Sequence, residues 1–192
     1  SNDYSSRRPL ARFEAMTPTL AIDTSTSRTI VGIIDGDNVL FDTFHEGATD
    51  HGRAISQLVA QALKVSAPPQ QVVVGMGPGP FTGLRVGISF AHTFGLARNI
   101  PVIGVCSLDA IDINQSEYTV AIDARRKEIY WARYKDGVRI EGPAVSKPVE
   151  VEGFIIDQYP DMKKLVALSH LQNVTEPMYL RRPDAVPTAE RA

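Results

Sequence analysis

The chain has 192 residues, 43% of them hydrophobic, and a formal net charge of −2, enough for one or two small domains with a real core. So mild a charge gives no bulk attraction to nucleic acid or to an anionic membrane, and the sequence holds no apolar run of about 18 residues that could span one. The single cysteine, Cys106, excludes a disulfide framework and suggests a reducing, cytoplasmic setting.

Residues 1–15 are polar and basic, with Arg7, Arg8 and Arg12, and lack the apolar segment of a signal peptide. They are expected to be an added or disordered tail, with Met16 as the native start. Leu20-Ala21-Ile22-Asp23 then opens a strand, followed by a second run from Thr29 to Ile34, an Asp35-Gly36 turn and a third run from Val39. In His51 to Val65, the apolar residues Ile55, Leu58, Val59, Ala62 and Leu63 recur at helical spacing, which predicts a one-sided amphipathic helix. Pro68-Pro69 ends it. A buried strand, Val72 to Met76, leads through Gly77-Pro78-Gly79-Pro80 into a helix from about Thr82 to Arg98, and a strand from Val102 to Cys106 follows. The first half therefore reads βββαβαβ, a parallel α/β segment behind an antiparallel triple.

About a hundred residues on, the same punctuation returns. Val120-Ala121-Ile122-Asp123 precedes Glu128 to Tyr134, Asp136-Gly137 and Val138 to Ile140. Two strand-strand-strand units with matching turns suggest duplication of one element. Beyond it, Glu150 to Tyr159 reads as a weak helix and Lys164 to Leu168 as a short strand; the pattern then stops at Ser169 to Pro177. The expected division is residues 16–110 for a first domain, 111–185 for a second, reduced one, and 186–192 for a tail.

The glycine-rich turn is neither a Walker loop nor Gly-x-Gly-x-x-Gly, and Pro78 and Pro80 remove two donors that a phosphate nest would use. The helix behind it carries Gly83, Gly87, Ala91 and Gly95 four residues apart, a smooth strip. Each glycine inside a helix costs about 1 kcal/mol relative to alanine, so something must approach that strip closely. Leu84, Val86, Ile88, Phe90, Phe94 and Leu96 spread apolar surface beyond one stripe, with Arg85, Ser89 and His92 as a narrow polar edge. Such a helix is buried on nearly every side, either under the chain's own sheet and first helix or in a partner interface.

Asp23 with Thr24 and Ser25, and Asp123 in the second copy, offer strand-end carboxylates and hydroxyls of the kind that hold a magnesium-phosphate group; the same residues also satisfy ordinary turns. His45, His51, His92 and His170 show no metal-ligand spacing, Cys106 has no activating neighbour, and no Gly-x-Ser-x-Gly elbow is present. The basic clusters Arg125-Arg126-Lys127 and Arg181-Arg182 suit solvated turns or phosphate contacts.

Three stretches, Ala21-Ile22-Asp23-Thr24-Ser25, the segment from Gly77 to Gly87, and Ala121-Ile122-Asp123-Ala124-Arg125 with Glu128-Ile129-Tyr130, resemble the TsaB (YeaZ) family, as does the ending Glu176-Pro177-Met178-Tyr179-Leu180-Arg181. The resemblance implies a duplicated ribonuclease H-like fold of the actin/Hsp70/sugar-kinase kind. It also implies a non-catalytic scaffold that binds a TsaD homologue and, with the TsaE ATPase, supports N6-threonylcarbamoylation of tRNA adenosine 37. No cofactor of its own, no metal and no membrane contact are implied; ATP or ADP is expected only at the joint with TsaD, tRNA only through the complex, and a homodimer in isolation. Where the catalytic relative carries His-x-x-x-His, this chain reads Ser107-Leu108-Asp109-Ala110-Ile111, and neither Ser107 nor Ile111 replaces an imidazole. Several dozen residues that family members carry between Leu168 and Val174 are absent.

The expected docking face consists of Gly83, Leu84, Gly87, Ala91 and Gly95 with His51, Ile55 and Leu58. On that reading, Gly87→Leu abolishes capture of TsaD and leaves the fold intact. Two enzyme readings stand beside it: an ATPase or kinase working through Asp23, Thr24 and Asp123, and an M22-type metallopeptidase.

Overall fold

The computed structural model describes residues 16–181; the expected tails 1–15 and 186–192, together with Arg182, lie outside them. Five strands form the first sheet in the order β3-β2-β1-β4-β5: β1 is Thr19–Asp23, β2 Arg28–Asp35, β3 Asn38–Glu46, β4 Gln71–Gly75 and β5 Val102–Val105. Helix α1 (His51–Lys64) precedes β4, and α2 (Phe81–Arg98) joins β4 to β5. The βββαβαβ order read from the sequence is the order observed.

Alternation of side chains along the strands gives this sheet two apolar faces. Leu20, Ile22, Val31, Ile33, Val72 and Val74 meet Ile55, Leu58 and Val59 of α1 and Leu84, Ile88 and Ala91 of α2. Ala21, Ile30, Ile34 and Val73 point the other way, onto Met162, Leu165 and Val166. Those three residues belong to α3 (Met162–Leu168), which corrects the strand expected at Lys164 to Leu168. Asp161 caps it, accepting from the Lys164 backbone N–H at 2.9 Å.

The second sheet runs β8-β7-β6-β9, with β6 Glu117–Arg125, β7 Glu128–Lys135, β8 Val138–Ser146 and β9 Phe154–Ile155. The duplication is visible in the pairing: β1 is antiparallel to β2 and parallel to β4, as β6 is antiparallel to β7 and parallel to β9. Asp136 and Gly137 both take positive φ, 49° and 78°, the conformation a two-residue hairpin requires. Even the strand-end turns match. Asp23 Oδ1 accepts from the Ser25 N–H at 3.0 Å, and Asp123 Oδ1 from the Arg125 N–H at 2.9 Å. The copies diverge after the third strand. Instead of a helix from Glu150 to Tyr159, Pro148–Glu150 forms one 3-10 turn, Gly153 takes φ 64°, and Phe154–Ile155 pairs with Thr119 and Val120.

The sheets divide near residue 110, but the chain crosses back. Past α3, Val174 donates to the Gly104 carbonyl at 2.7 Å, beside edge strand β5, and Met178 donates to the Met76 carbonyl at 2.8 Å. Leu180 and Met178 then fill the second sheet's core with Cys106, Leu108, Ile122 and Tyr130, and Arg181 donates to the Ala124 carbonyl at 2.7 Å. One peptide segment thus fastens both sheets.

Candidate functional site

Thr24, directly after β1, decides how α2 lies. Its hydroxyl donates to the Gly83 carbonyl at 2.6 Å and accepts the Gly87 N–H at 3.1 Å, binding both groups of one helical rung. A side chain on Gly87 would place its Cβ 2.4 Å from Thr24 Oγ1; on Gly83 it would meet the His51 ring at 2.9 Å, and on Gly95 it would meet Val102 Cγ2 at 2.3 Å. The smooth strip is therefore filled by this chain's own residues, and the close approach that its glycines permit is intramolecular. This corrects the expected docking face: Leu84, Gly87, Ala91 and Gly95, with Ile55, Leu58 and His51 of α1, are buried in the first lobe, while Gly83 lies half-buried against His51.

The opposite side of the helix pair is open. Phe81, Arg85, Val86, Ser89, Phe90 and Thr93 of α2, with Gly52, Ile55 and Ser56 of α1, line a groove of about 650 Å³. Phe81, Phe90 and Thr93, which are not among the residues of the expected docking face, line this open side. The signal was there in the breadth of apolar surface on α2, but a helix buried on two faces does not declare which one its own sheet takes.

Two cavities lie where the lobes meet. One, of about 240 Å³, is lined by Thr24, Thr26, Ser27, Asp123, Arg125 and the segment Ile156–Tyr159; its neighbour, of about 430 Å³, adds Thr49, Arg126 and Arg181. Of the expected phosphate residues, only Thr24 and Asp123 line a cavity. Asp23 and Ser25 are fully buried beneath the glycine-rich turn, where a Cβ on Gly79 would strike the Ser25 backbone at 2.6 Å. Asp23 Oδ1 is bonded to Ser25, whereas Oδ2 makes no hydrogen bond, although the Ser107 hydroxyl stands beside it. Desolvation pushes the Asp23 pKa above the ordinary value, with Ser25 and Ser107 opposing it. The two aspartates do not converge on one site.

The segment aligned with metal ligands in the catalytic relative is structural here. Ser107 accepts the Gly77 N–H at 3.1 Å, Ile111 is in the second core, and Asp109 is engaged by Tyr134, by Arg139 at 3.0 Å and by Gln172 at 2.7 Å. These residues do not fit a metal centre, and no three potential ligands gather elsewhere among the described residues. Cys106 lies beside Asp109 with its thiol pushed up to about 12 by burial. Burial also lowers the pKa of His51, whose Nδ1 shares a hydrogen bond with Thr29 Oγ1 at 2.8 Å.

Paired mixed sheets with repeated topology and a cleft between them define a duplicated ribonuclease H-like protein of the actin/Hsp70/sugar-kinase class. Residues 45–185 match the family of TsaD, tRNA N6-adenosine threonylcarbamoyltransferase, and the chain belongs to that family, on the side of the proteins named TsaB or YeaZ. An uncharacterized protein of Mycobacterium leprae is 41% identical over 90% of this chain and 57% of its own length. One from Mycobacterium tuberculosis is 39% identical over 88% and 94%. The Escherichia coli tRNA threonylcarbamoyladenosine biosynthesis protein TsaB is 32% identical over 60% of this chain and 54% of its own. The chain thus spans little more than half the length of the first and third of these relatives. YeaZ from Pseudomonas aeruginosa shares the fold with a TM-score of 0.70 at 21% identity, over 81% of this chain and 92% of that one. The Mycobacterium leprae alignment runs over 204 positions, more than the whole chain contains, so it includes relatives' residues that have no counterpart here.

Proposed function

We propose that the protein is a docking subunit of the machinery that makes threonylcarbamoyladenosine in tRNA, binding a TsaD homologue through the outer groove of α1 and α2. The observation that carries this is the groove itself. Phe81, Val86 and Phe90 present apolar surface on a rigid helix pair, nothing in the described chain covers it, and aromatic anchors in concave sites dominate binding energy. Two partner helices laid along α1 and α2 would complete a four-helix packing. The relatives' names supply the reaction; the groove supplies the mode. TsaE joins through that complex, and tRNA is met by the assembly rather than by this chain alone.

ATP or ADP enters this reading only at the joint with TsaD. The cavity lined by Thr24 and Asp123, about 240 Å³, adjoins one of about 430 Å³, and Asp23 reaches neither.

Ser89 is exposed in the groove wall, so Ser89→Arg should leave the fold within about 0.5 kcal/mol of wild type. It should weaken capture of the TsaD homologue by more than about tenfold, because a charge is then desolvated at the centre of an apolar contact. Calorimetric titration with the purified homologue measures this; unchanged affinity rejects the groove.

A further inference from the structure

Helices α1 and α2 carry no aspartate or glutamate, although an even share of the chain's 22 acidic residues would put about four in segments of 14 and 18 residues. Histidines aside, their titratable groups are Arg53, Lys64, Arg85 and Arg98. Lys64 and Arg98 sit in last turns, where a cation complements the negative end of the helix dipole. Arg53, in the first turn of α1, has Asp50 at 3.8 Å. Arg85 has no such neighbour. It is exposed, one turn from the N-terminus of α2, and among the described residues no carboxylate pairs with it. Its guanidinium lies 5.9 Å from the Phe81 ring centroid, and among the described residues it is the one charged side chain lining the outer groove.

Strands β4 and β5 are parallel and each helix feeds the strand after it, so α1 and α2 run the same way. Gly52, Phe81 and Thr82 mark the end of the groove where both begin. Helix N-termini carry positive partial charge, and neither of these has a side-chain cap. The groove is therefore apolar along its length and electropositive toward one end. We propose that its occupant is a partner helix whose apolar face is flanked by an aspartate or glutamate that pairs with Arg85, and that this pair selects a heterologous partner over a second copy of the chain. A second copy brings another Arg85 and, from α1 and α2, no carboxylate to meet it; like charges so placed oppose the contact. The inference rests on docking in the groove and adds what the partner must carry there.

The test is the association rate with the purified TsaD homologue, read by surface plasmon resonance at low salt and at about 0.5 M salt. Arg85→Glu should slow association about tenfold at low salt and by less than about twofold at the higher concentration, where screening hides the pair. Arg85→Lys keeps the charge and should associate within about twofold of wild type. Glutamate forms helix about as well as arginine and the site is exposed, so Arg85→Glu should melt no lower than wild type, which separates slowed association from lost folding. If Ser89→Arg weakens binding while Arg85→Glu associates at the wild-type rate at low salt, the groove stands and the acidic partner is overturned. A slowing of equal size at both salt concentrations overturns it too. If neither variant changes binding, the groove reading itself fails and this inference with it. Wild type that pairs with itself more tightly than with the homologue in the same low-salt buffer, by light scattering, overturns the selection.

Discussion

Thr24 shows how one hydroxyl governs a helix: by bonding Gly83 and Gly87 it makes a side chain on either glycine a collision with its own neighbours. Gly87→Leu is accordingly expected to destabilise the fold by at least about 1–3 kcal/mol through overpacking; chemical denaturation measures it. Any loss of partner binding by that variant would follow from misfolding, and Ser89→Arg is the cleaner probe. The neighbouring residue, Asp23, carries a different prediction. Burial raises its folded pKa above the unfolded value of 3.8, so the native state holds the proton more tightly. Stability is then lost as pH rises from about 4 through the folded pKa. Asp23→Asn has no such proton to release, so its melting temperature relative to wild type should climb between about pH 4 and pH 8. A difference that stays flat across that range would mean the carboxyl titrates normally. Both effects lie beyond what residues 21–25 reveal by themselves: a strand-end Asp followed by hydroxyls reads the same whether it opens into a cavity or is sealed under a loop, and here Gly75 and Gly79 seal it.

At the level of elements, α3 is the instructive case. Seven residues are too few for a helix to persist alone in water, and Lys164-Leu165-Val166-Ala167-Leu168 has no more helical than extended periodicity over so short a span. Met162, Leu165 and Val166 become helical because the vacant face of the first sheet takes them in. Leu165→Ala should therefore cost about 2–5 kcal/mol, the range for a fully buried leucine, which a urea titration reads directly; a loss under 1 kcal/mol would show that α3 is decoration. Helices α1 and α2 were legible for the opposite reason: 14 and 18 residues suffice for periodicity to declare itself. The stretch from Glu150 to Tyr159 misled because its charged and apolar residues mimic a helix, while Gly153 at φ 64° and the open edge of β6 divert it into β9.

Across the whole molecule, the two lobes are joined by the crossover through Ser107–Ala110, the returning segment from Gln172 to Arg181, and the Arg28–Tyr159 stack. The groove on α1 and α2 is built from first-lobe residues alone. A self-pairing of that groove would be isologous and would place Ser89 near its own counterpart; Ser89→Arg is then expected to leave the isolated protein monomeric in light scattering at concentrations where the wild type pairs. The duplicated triple, the βββαβαβ order and the family were all written in the sequence, because hairpin turns, strand alternation and long-helix periodicity are local properties that a chain carries with it. Which side of α2 faces its own sheet, whether Asp23 or Asp123 meets solvent, and what becomes of Met162–Leu168 were settled only by packing. Those outcomes depend on residues far apart in the chain competing for the same volume, and no window of sequence contains both competitors.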